Sequence, residues 1–154
     1  MAKRRVLFVC RDNAAGSQMA EALLRAADDT HYEAVSAGIW ASALDPLAVY
    51  AMAERGIDIS GQRSKALRDV IGAGEFDYTI TLGEGAAQRP PELPGMGRRL
   101  HWSLPEPRIV DRSLADQLHT LRTVRDTCDA SIRLWLDKTD KEKEEDTDPV
   151  LLAS

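Results

Sequence analysis

Few cysteines, few aromatic residues and no long apolar run limit what this 154-residue chain can be. Its two cysteines are too few for a disulfide scaffold or a four-thiolate zinc site, and they favour a reducing compartment. No apolar run approaches the roughly 18 residues of a membrane span. The run over 6–10 is shorter than the apolar part of a secretory signal. We therefore expect a cytoplasmic protein that does not bind membranes.

The charge of the chain argues against a further class of function. Its net charge of -5 is unlike that of a general nucleic-acid-binding protein, which usually presents a basic face. Part of the negative charge lies near the end of the sequence, where residues 138–148 include no apolar side chain. Such a composition is typical of solvated, disordered chain. We expect one domain over residues 1–137 and a charged, disordered tail over 138–154.

Patterns typical of strands and helices alternate along the rest of the sequence. Predicted strands cover 6–10, 32–37, 78–82 and 99–102, and predicted helices cover 17–27, 65–71 and the segments beginning at Asp45 and Ser113. The helix over 65–71 follows a candidate cap at Ser64. The uninterrupted apolar run over 6–10 is typical of a strand buried on both faces of a parallel sheet. The alternation predicts an α/β fold with helices on both faces of that sheet.

The loop after the first strand is the first place to look for chemistry, because ligands of such folds bind at the carboxyl ends of the strands. A short loop before a helix can turn several N–H groups inward to hold an anion. Cys10 at its rim would be favoured as the thiolate, and the Ser17 hydroxyl could donate to its sulfur. Asn13 suits a left-handed turn position and could brace the loop. The position alone fits equally well a Cys10 that merely ends a core strand.

Several motifs give the chain a family resemblance. They are Val-Leu-Phe-Val-Cys at 6–10, Asn13, Ser-Gln-Met-Ala-Glu at 17–21, Ser-Ala-Gly at 36–38, Gly-Ile-Asp-Ile-Ser-Gly-Gln-Arg-Ser-Lys at 56–65, Phe-Asp-Tyr-Thr-Ile-Thr-Leu at 76–82 and His-Trp at 101–102. The set, which extends over about 4–137, resembles the low-molecular-weight protein tyrosine phosphatase and thioredoxin-type arsenate reductase superfamily, and its reductase branch more closely. The resemblance implies a three-layer fold with a four-stranded parallel sheet and flavodoxin-like topology.

The resemblance also implies roles for the loop residues, with one departure. Cys10 would be the nucleophile, assisted by Ser17, and the loop would bind a phosphate, arsenate or sulfate-like oxyanion. The loop residues concerned are Arg11, Asp12, Asn13, Ala14, Ala15 and Gly16. Gly16 stands where the family has an arginine, whose planar fork grips two oxygens of the anion. Loss of a comparable arginine in phosphoryl transfer costs on the order of 10³–10⁵ in rate. Arg11 is the nearest replacement, but we expect its side chain to point outward.

The general acid and the recycling thiols depart from the family as well. Where phosphatases of the family carry an Asp before a Pro, this chain has Glu106, and a glutamate can act as a general acid if its pKa suits. The segment after the third strand contains no cysteine, which excludes a three-thiol relay within one chain. A small thiol such as mycothiol or glutathione, or a redoxin, is then the expected reductant. We predict that Cys128 packs in the core of the last helix.

Three functions therefore stay open. One is an arsenate-reductase-like enzyme that uses Cys10 and is weakened by Gly16. Another is a low-molecular-weight protein tyrosine phosphatase that acts on a phosphotyrosine protein or a small phosphate ester, with Glu106 as the acid. The last is a degenerate member that binds an oxyanion or a partner without turnover. We expect no cofactor and no metal, since the three histidines, at 31, 101 and 119, lack ligand-like spacing.

Overall fold

The computed structural model describes residues 2–83, 93–105 and 113–146, and its elements follow the predicted alternation. In chain order they are β1 (Arg4–Cys10), α1 (Gly16–Ala27), β2 (Tyr32–Gly38), α2 (Pro46–Ala53), α3 (Leu67–Ile71), β3 (Tyr78–Leu82), β4 (Arg98–Trp102) and α4 (Leu114–Asp146). The boundaries of the four strands differ from the predicted ones by at most two residues. The predicted α/β class is confirmed.

The four strands form one parallel sheet in the order β2-β1-β3-β4. Cys10 at the end of β1 pairs with Gly38 at the end of β2. Because the chain turns to opposite sides of β1 to reach β2 and β3, the carboxyl end of β1 lies at the point where the strand order reverses. Ligands of open α/β sheets bind at that point. The topology therefore places the loop after Cys10 where a ligand site is expected.

Helices cover both faces of the sheet, as predicted, but unequally. The larger core lies between the sheet and the helices α1, α2 and α4, and includes Phe8, Met19 and Ile80. Cys128 on α4 is fully buried in this core, which confirms the predicted packing position. The smaller core on the opposite face is covered by α3 and loops and contains Leu7 among its buried members. The central strand β1 is thus buried on both sides.

The predicted start of α3 is wrong. The helix begins at Leu67 rather than at residue 65, and Ser64 does not cap it. Both backbone groups of Lys65 already have hydrogen-bond partners. Its N–H donates to Asn13 Oδ1 at 2.8 Å, and its carbonyl accepts from Gly38 N at 2.8 Å. The Ser64 hydroxyl donates to the carbonyl of Asp12 at 3.0 Å. The segment over 64–66 is therefore held extended by the loop after β1 and cannot begin a helical turn.

Helix α4 begins at a serine cap and extends into the charged segment after residue 137. Its first turn is capped by Ser113, whose hydroxyl accepts from Asp116 N at 3.0 Å, as predicted. The helix runs on to Asp146, and buried Thr139 donates to the carbonyl of Trp135 at 2.7 Å. It thus takes in residues 138–146 of the segment assigned above to the tail, because Lys and Glu are good helix formers. Residues 147–154 lie outside the described residues, and the domain limit at 137 stays a prediction.

None of the helices in the described ranges combines the length and the apolar composition that a membrane span requires.

We expect Ile80→Ala to lower the free energy of unfolding by about 2–5 kcal/mol, because it removes a fully buried side chain from the larger core. Denaturant titration followed by circular dichroism measures this. Leu134→Ala is the control, because Leu134 on α4 is 72% exposed and its loss should change the free energy by less than about 0.5 kcal/mol. Equal losses in the two variants would contradict the described core.

Candidate active site

Asn13 fixes the shape of the loop between β1 and α1. It is the one non-glycine residue in the described ranges with a positive φ, at 54°, and its side chain is fully buried. Its Oδ1 accepts the N–H of Lys65 at 2.8 Å, and its Nδ2 donates to Ser17 Oγ at 2.8 Å. The prediction that Asn13 occupies a left-handed position and braces the loop is confirmed.

The residue at position 38 leaves room for this loop only because it is glycine. A Cβ atom on Gly38 would lie 2.4 Å from the carbonyl oxygen of Trp40 and 2.7 Å from the backbone nitrogen of Asn13. Both are backbone atoms, which cannot shift without displacing the chain. The end of β2 and the loop after β1 therefore fit together without space for any side chain. The glycine belonged to a recognised motif, but its packing role could not be read from the sequence.

The sulfur of Cys10 is surrounded by hydrogen-bonding groups. Its Sγ lies 2.7 Å from Ser17 Oγ, and the N–H of Asn13 donates to it at 3.3 Å. The N–H of Ser17 also faces the sulfur. Cys10 itself is partly exposed, at the carboxyl end of the central strand. Hydrogen-bond donors around a sulfur favour its thiolate, the form in which a cysteine acts as a nucleophile.

The expected thiolate is not the favoured form in this arrangement. Burial raises the pKa of the Cys10 thiol above its usual value, and the Asp12 carboxylate adds to the rise. Hydrogen bonds from the Ser17 hydroxyl and from the N–H groups of Ser17 and Asn13 lower this pKa but do not outweigh burial. The prediction that the loop favours the thiolate is therefore wrong in its net direction, because amides alone do not compensate for the lost hydration of a charged sulfur.

A cavity of about 170 Å³ opens beside Cys10. Its described lining residues are Cys10, Arg11, Asp12, Ala14, Ala15, Gly16, Asp45, Leu82, Gly83, Leu104, Pro105 and Val124. The volume is more than ten times the roughly 10–15 Å³ that suffices for one water molecule, so the cavity has room for a group larger than water. Of the described residues in this lining, Arg11 alone is a cation and two are carboxylates. The described side chains of this lining thus supply little positive charge for an anion.

Gly16 begins α1 at the wall of this cavity and leaves space for a side chain. A Cβ atom built there would meet only Val124 Cγ1, at an ordinary contact distance of 3.8 Å. Neither a close approach nor a positive φ requires glycine at this position. A larger residue at position 16 can therefore be accommodated at its first carbon without displacing the loop.

The structure brings most of the predicted site residues together. Six of them line the cavity, namely Cys10, Arg11, Asp12, Ala14, Ala15 and Gly16. Ser17 and Asn13 lie beneath the sulfur, fully buried, and support it. Glu106 lies outside the described residues. No three histidine, cysteine, aspartate or glutamate side chains within 2–83, 93–105 and 113–146 gather as metal ligands would.

Comparisons with known proteins agree with this fold. Residues 5–145 match the model of the family described as low molecular weight phosphotyrosine protein phosphatase. The chain belongs to this family. It is 34% identical over 134 residues to an arsenate reductase of Shouchella clausii, an alignment that covers 86% of this chain and 95% of that protein. It is also 34% identical over 126 residues to an arsenate reductase of Bacillus subtilis, with 82% and 90% covered.

Solved structures of the low molecular weight phosphatase family share the fold. One described as an arsenate reductase in the phosphate binding state superposes with a TM-score of 0.74 at 30% identity, covering 88% of this chain and 98% of that one. A low molecular weight protein tyrosine phosphatase from T. tengcongensis gives a TM-score of 0.69 at 25% identity, with 88% and 99% covered. Both branches of the predicted superfamily therefore occur among the relatives.

Two glutamines of the site were not singled out from the sequence. Gln18 is fully buried beneath the loop, and its Nε2 donates to Asn13 Oδ1 at 2.9 Å. Gln62 reaches it from the segment after α2, with its Nε2 2.7 Å from Gln18 Oε1. Both stood inside the motifs quoted for the resemblance. Gln18 lies beside the apolar stripe of α1 and not on it, so the helix pattern gave no signal of its burial.

We expect the alkylation of Cys10 by iodoacetamide to become faster with rising pH up to a midpoint above the usual cysteine value of about 8.5. The reason is that burial raises the pKa of this thiol, so its thiolate fraction at neutral pH is small. Mass spectrometry of the modified peptide over a pH series measures the rate, and Cys10→Ser gives the background. A midpoint at or below the usual value would contradict the described balance between burial and hydrogen bonding.

Proposed function

We propose that this protein carries out slow, Cys10-dependent chemistry on a tetrahedral oxyanion, with arsenate reduction at the expense of a small thiol as its function. The observation that carries the proposal is the place of the Cys10 sulfur, beside the cavity and within reach of three hydrogen-bond donors. The resemblance to arsenate reductases at 34% identity supports the choice of reaction over other reactions of the family. A cytoplasmic location, inferred from cysteine content, is consistent with a thiol reductant.

The proposed reaction conserves atoms and electrons as follows. The Cys10 thiolate forms an S–As bond with arsenate, and a hydroxide leaves arsenic with a proton as water. A small thiol then attacks the Cys10 sulfur, forming an S–S bond, and the electron pair of the S–As bond stays on arsenic, which leaves as arsenite. A second molecule of the small thiol reduces this mixed disulfide and restores Cys10. Two thiols are oxidised to one disulfide while arsenic gains two electrons.

The reductant in this scheme comes from outside the chain. Burial raises the pKa of the Cys128 thiol to about 12, and Cys128 lies within the larger core, so it does not serve as a resolving thiol. The sequence contains no third cysteine. A small thiol such as mycothiol or glutathione, or the exposed thiol of a redoxin, fits the opening beside Cys10. No other cofactor is part of the proposal.

The charge of the cavity explains why the reaction should be slow. The resemblance places the family's arginine at position 16, where this chain has glycine. Without that cation the described lining residues include one arginine and two carboxylates, and the Cys10 thiol has a raised pKa. Both the attacking thiolate and the charge that develops on the oxyanion are then poorly stabilised. The loop retains its backbone amides and its shape, so binding of an anion persists.

The same observations favour one second candidate, a family member that binds an oxyanion or a partner without turnover. A thiol with a raised pKa suits binding better than nucleophilic attack. A tyrosine phosphatase function depends on Glu106 as the acid, and that residue lies outside the described part of the chain. Turnover of arsenate, turnover of a phosphate ester, or phosphate binding without turnover separates the three functions.

We expect Gly16→Arg to raise kcat/KM with arsenate plus a small thiol by at least about 10²-fold. The added guanidinium would pair with the oxyanion and would also lower the pKa of Cys10, because a nearby cation favours the thiolate. The space at position 16 allows the side chain to begin without a clash. Steady-state assays with mycothiol, glutathione and a redoxin, and with para-nitrophenyl phosphate, measure the effect.

The controls separate catalysis from binding in that experiment. Cys10→Ser should show no turnover of either substrate, and it should still bind phosphate in calorimetry, since it keeps the loop. Phosphate binding by the wild type with no turnover in any assay would favour the binding-only function. A fast wild type that Gly16→Arg leaves unchanged would contradict the role given to the missing arginine.

A further inference from the structure

A chain of side-chain hydrogen bonds leads from the surface of the protein to the sulfur of Cys10. It passes from Gln62 to Gln18, Asn13, Ser17 and Cys10. The four heavy-atom distances are 2.7, 2.9, 2.8 and 2.7 Å in that order. We call these four bonds the amide relay. Its three middle side chains are fully buried, so water cannot replace the partner of any of them.

At the outer end of the amide relay, Arg25 determines which atom of Gln62 donates and which accepts. A guanidinium can only donate hydrogen bonds. The Nη1 atom of Arg25 lies 3.3 Å from Gln62 Oε1, so this oxygen is an acceptor. The amide nitrogen of Gln62 consequently faces Gln18, to whose Oε1 it donates.

In the middle of the amide relay, backbone groups determine which atoms of Gln18 and Asn13 donate and which accept. The Nε2 of Gln18 lies 2.9 Å from the carbonyl oxygen of Arg63, which can only accept, so the nitrogen of this amide is correctly placed there. The oxygen of Asn13 is identified in the same way, because the N–H of Lys65 donates to it. The nitrogen of the Asn13 amide is then left to donate to Ser17 Oγ.

The inner end of the relay decides which atom donates between Ser17 and Cys10. Since Ser17 Oγ already receives a hydrogen from Asn13, its own hydroxyl proton is free to point elsewhere. The Cys10 sulfur, at 2.7 Å, is the acceptor within reach among the described bonds of Ser17. A proton directed at the sulfur stabilises the thiolate and does nothing comparable for the thiol.

We propose that Gln62 is a positioning residue for Cys10, which acts together with the backbone groups of Arg63 and Lys65 to hold Gln18 and Asn13 in one orientation and thereby keeps the Ser17 proton aimed at the sulfur. The inference rests on the proposed function, in which Cys10 is the nucleophile. Gln62 touches neither the sulfur nor the cavity lining and acts only through the residues between. Because the sulfur has one aimed hydroxyl and two backbone N–H donors against the cost of burial, losing the aimed proton has a measurable effect.

The test compares two glutamine variants of the whole chain. Gln62→Met keeps the size of the side chain but removes its donor, and Gln117→Met makes the same change on α4, outside the relay. We expect the midpoint of Cys10 alkylation to rise by about 0.5 pH units in Gln62→Met. The midpoint of Gln117→Met should equal that of the wild type. Ser17→Ala, which removes the last donor itself, should give a rise of about 1 pH unit.

Stability and turnover measurements complete this test. A lower unfolding temperature in Gln62→Met with an unchanged alkylation midpoint would overturn the proposal, because Gln62 would then be only structural. Gln62→Ala removes the same donor and should show the same shift, which covers a failure of the methionine variant to fold. Where turnover is measurable, kcat should fall with little change in KM. Absence of turnover in every variant would overturn the proposed function, and the alkylation midpoints would still decide the role of Gln62.

Discussion

The site depends on the hydrogen bonds of the buried Asn13 side chain. A residue with a positive φ costs free energy unless its surroundings hold it there. Here the Asn13 amide accepts from Lys65 and donates to Ser17, so it joins the loop after β1 to the segment before α3 and to the first turn of α1. Gly38 allows the close approach that these bonds require. These bonds place the Ser17 hydroxyl and the Asn13 N–H within reach of the Cys10 sulfur.

Two opposing effects, burial and hydrogen bonding, determine the pKa of the Cys10 thiol. Taking a thiolate out of water is costly, and hydrogen bonds from Ser17 and Asn13 recover only part of that cost. A cation at position 16 would act on the same sulfur and on the bound oxyanion together, and this chain has none there. The described part of the site therefore supplies hydrogen bonds to the Cys10 sulfur and has no cation at position 16.

Much of the architecture could be predicted because it depends on local patterns. The apolar run over 6–10 indicated a strand buried on both faces, and the alternation of elements indicated a parallel sheet. The loop after Cys10 followed from the rule that ligands bind at the carboxyl ends of strands. The predicted start of helix α3 was wrong because a distant segment competes for the same backbone groups. The helix starts late since Lys65 is bonded to Asn13.

The sequence by itself determined which elements form, their order, the identity of the candidate nucleophile and the glycine at position 16. These depend on residue types and on spacings of a few positions, which the chain displays directly. The tertiary structure alone decided the net direction of the Cys10 pKa, the need for glycine at position 38 and the contact between Gln18 and Gln62. Burial, close approach and bond direction arise between segments that are distant along the chain, so they exist only once it has folded.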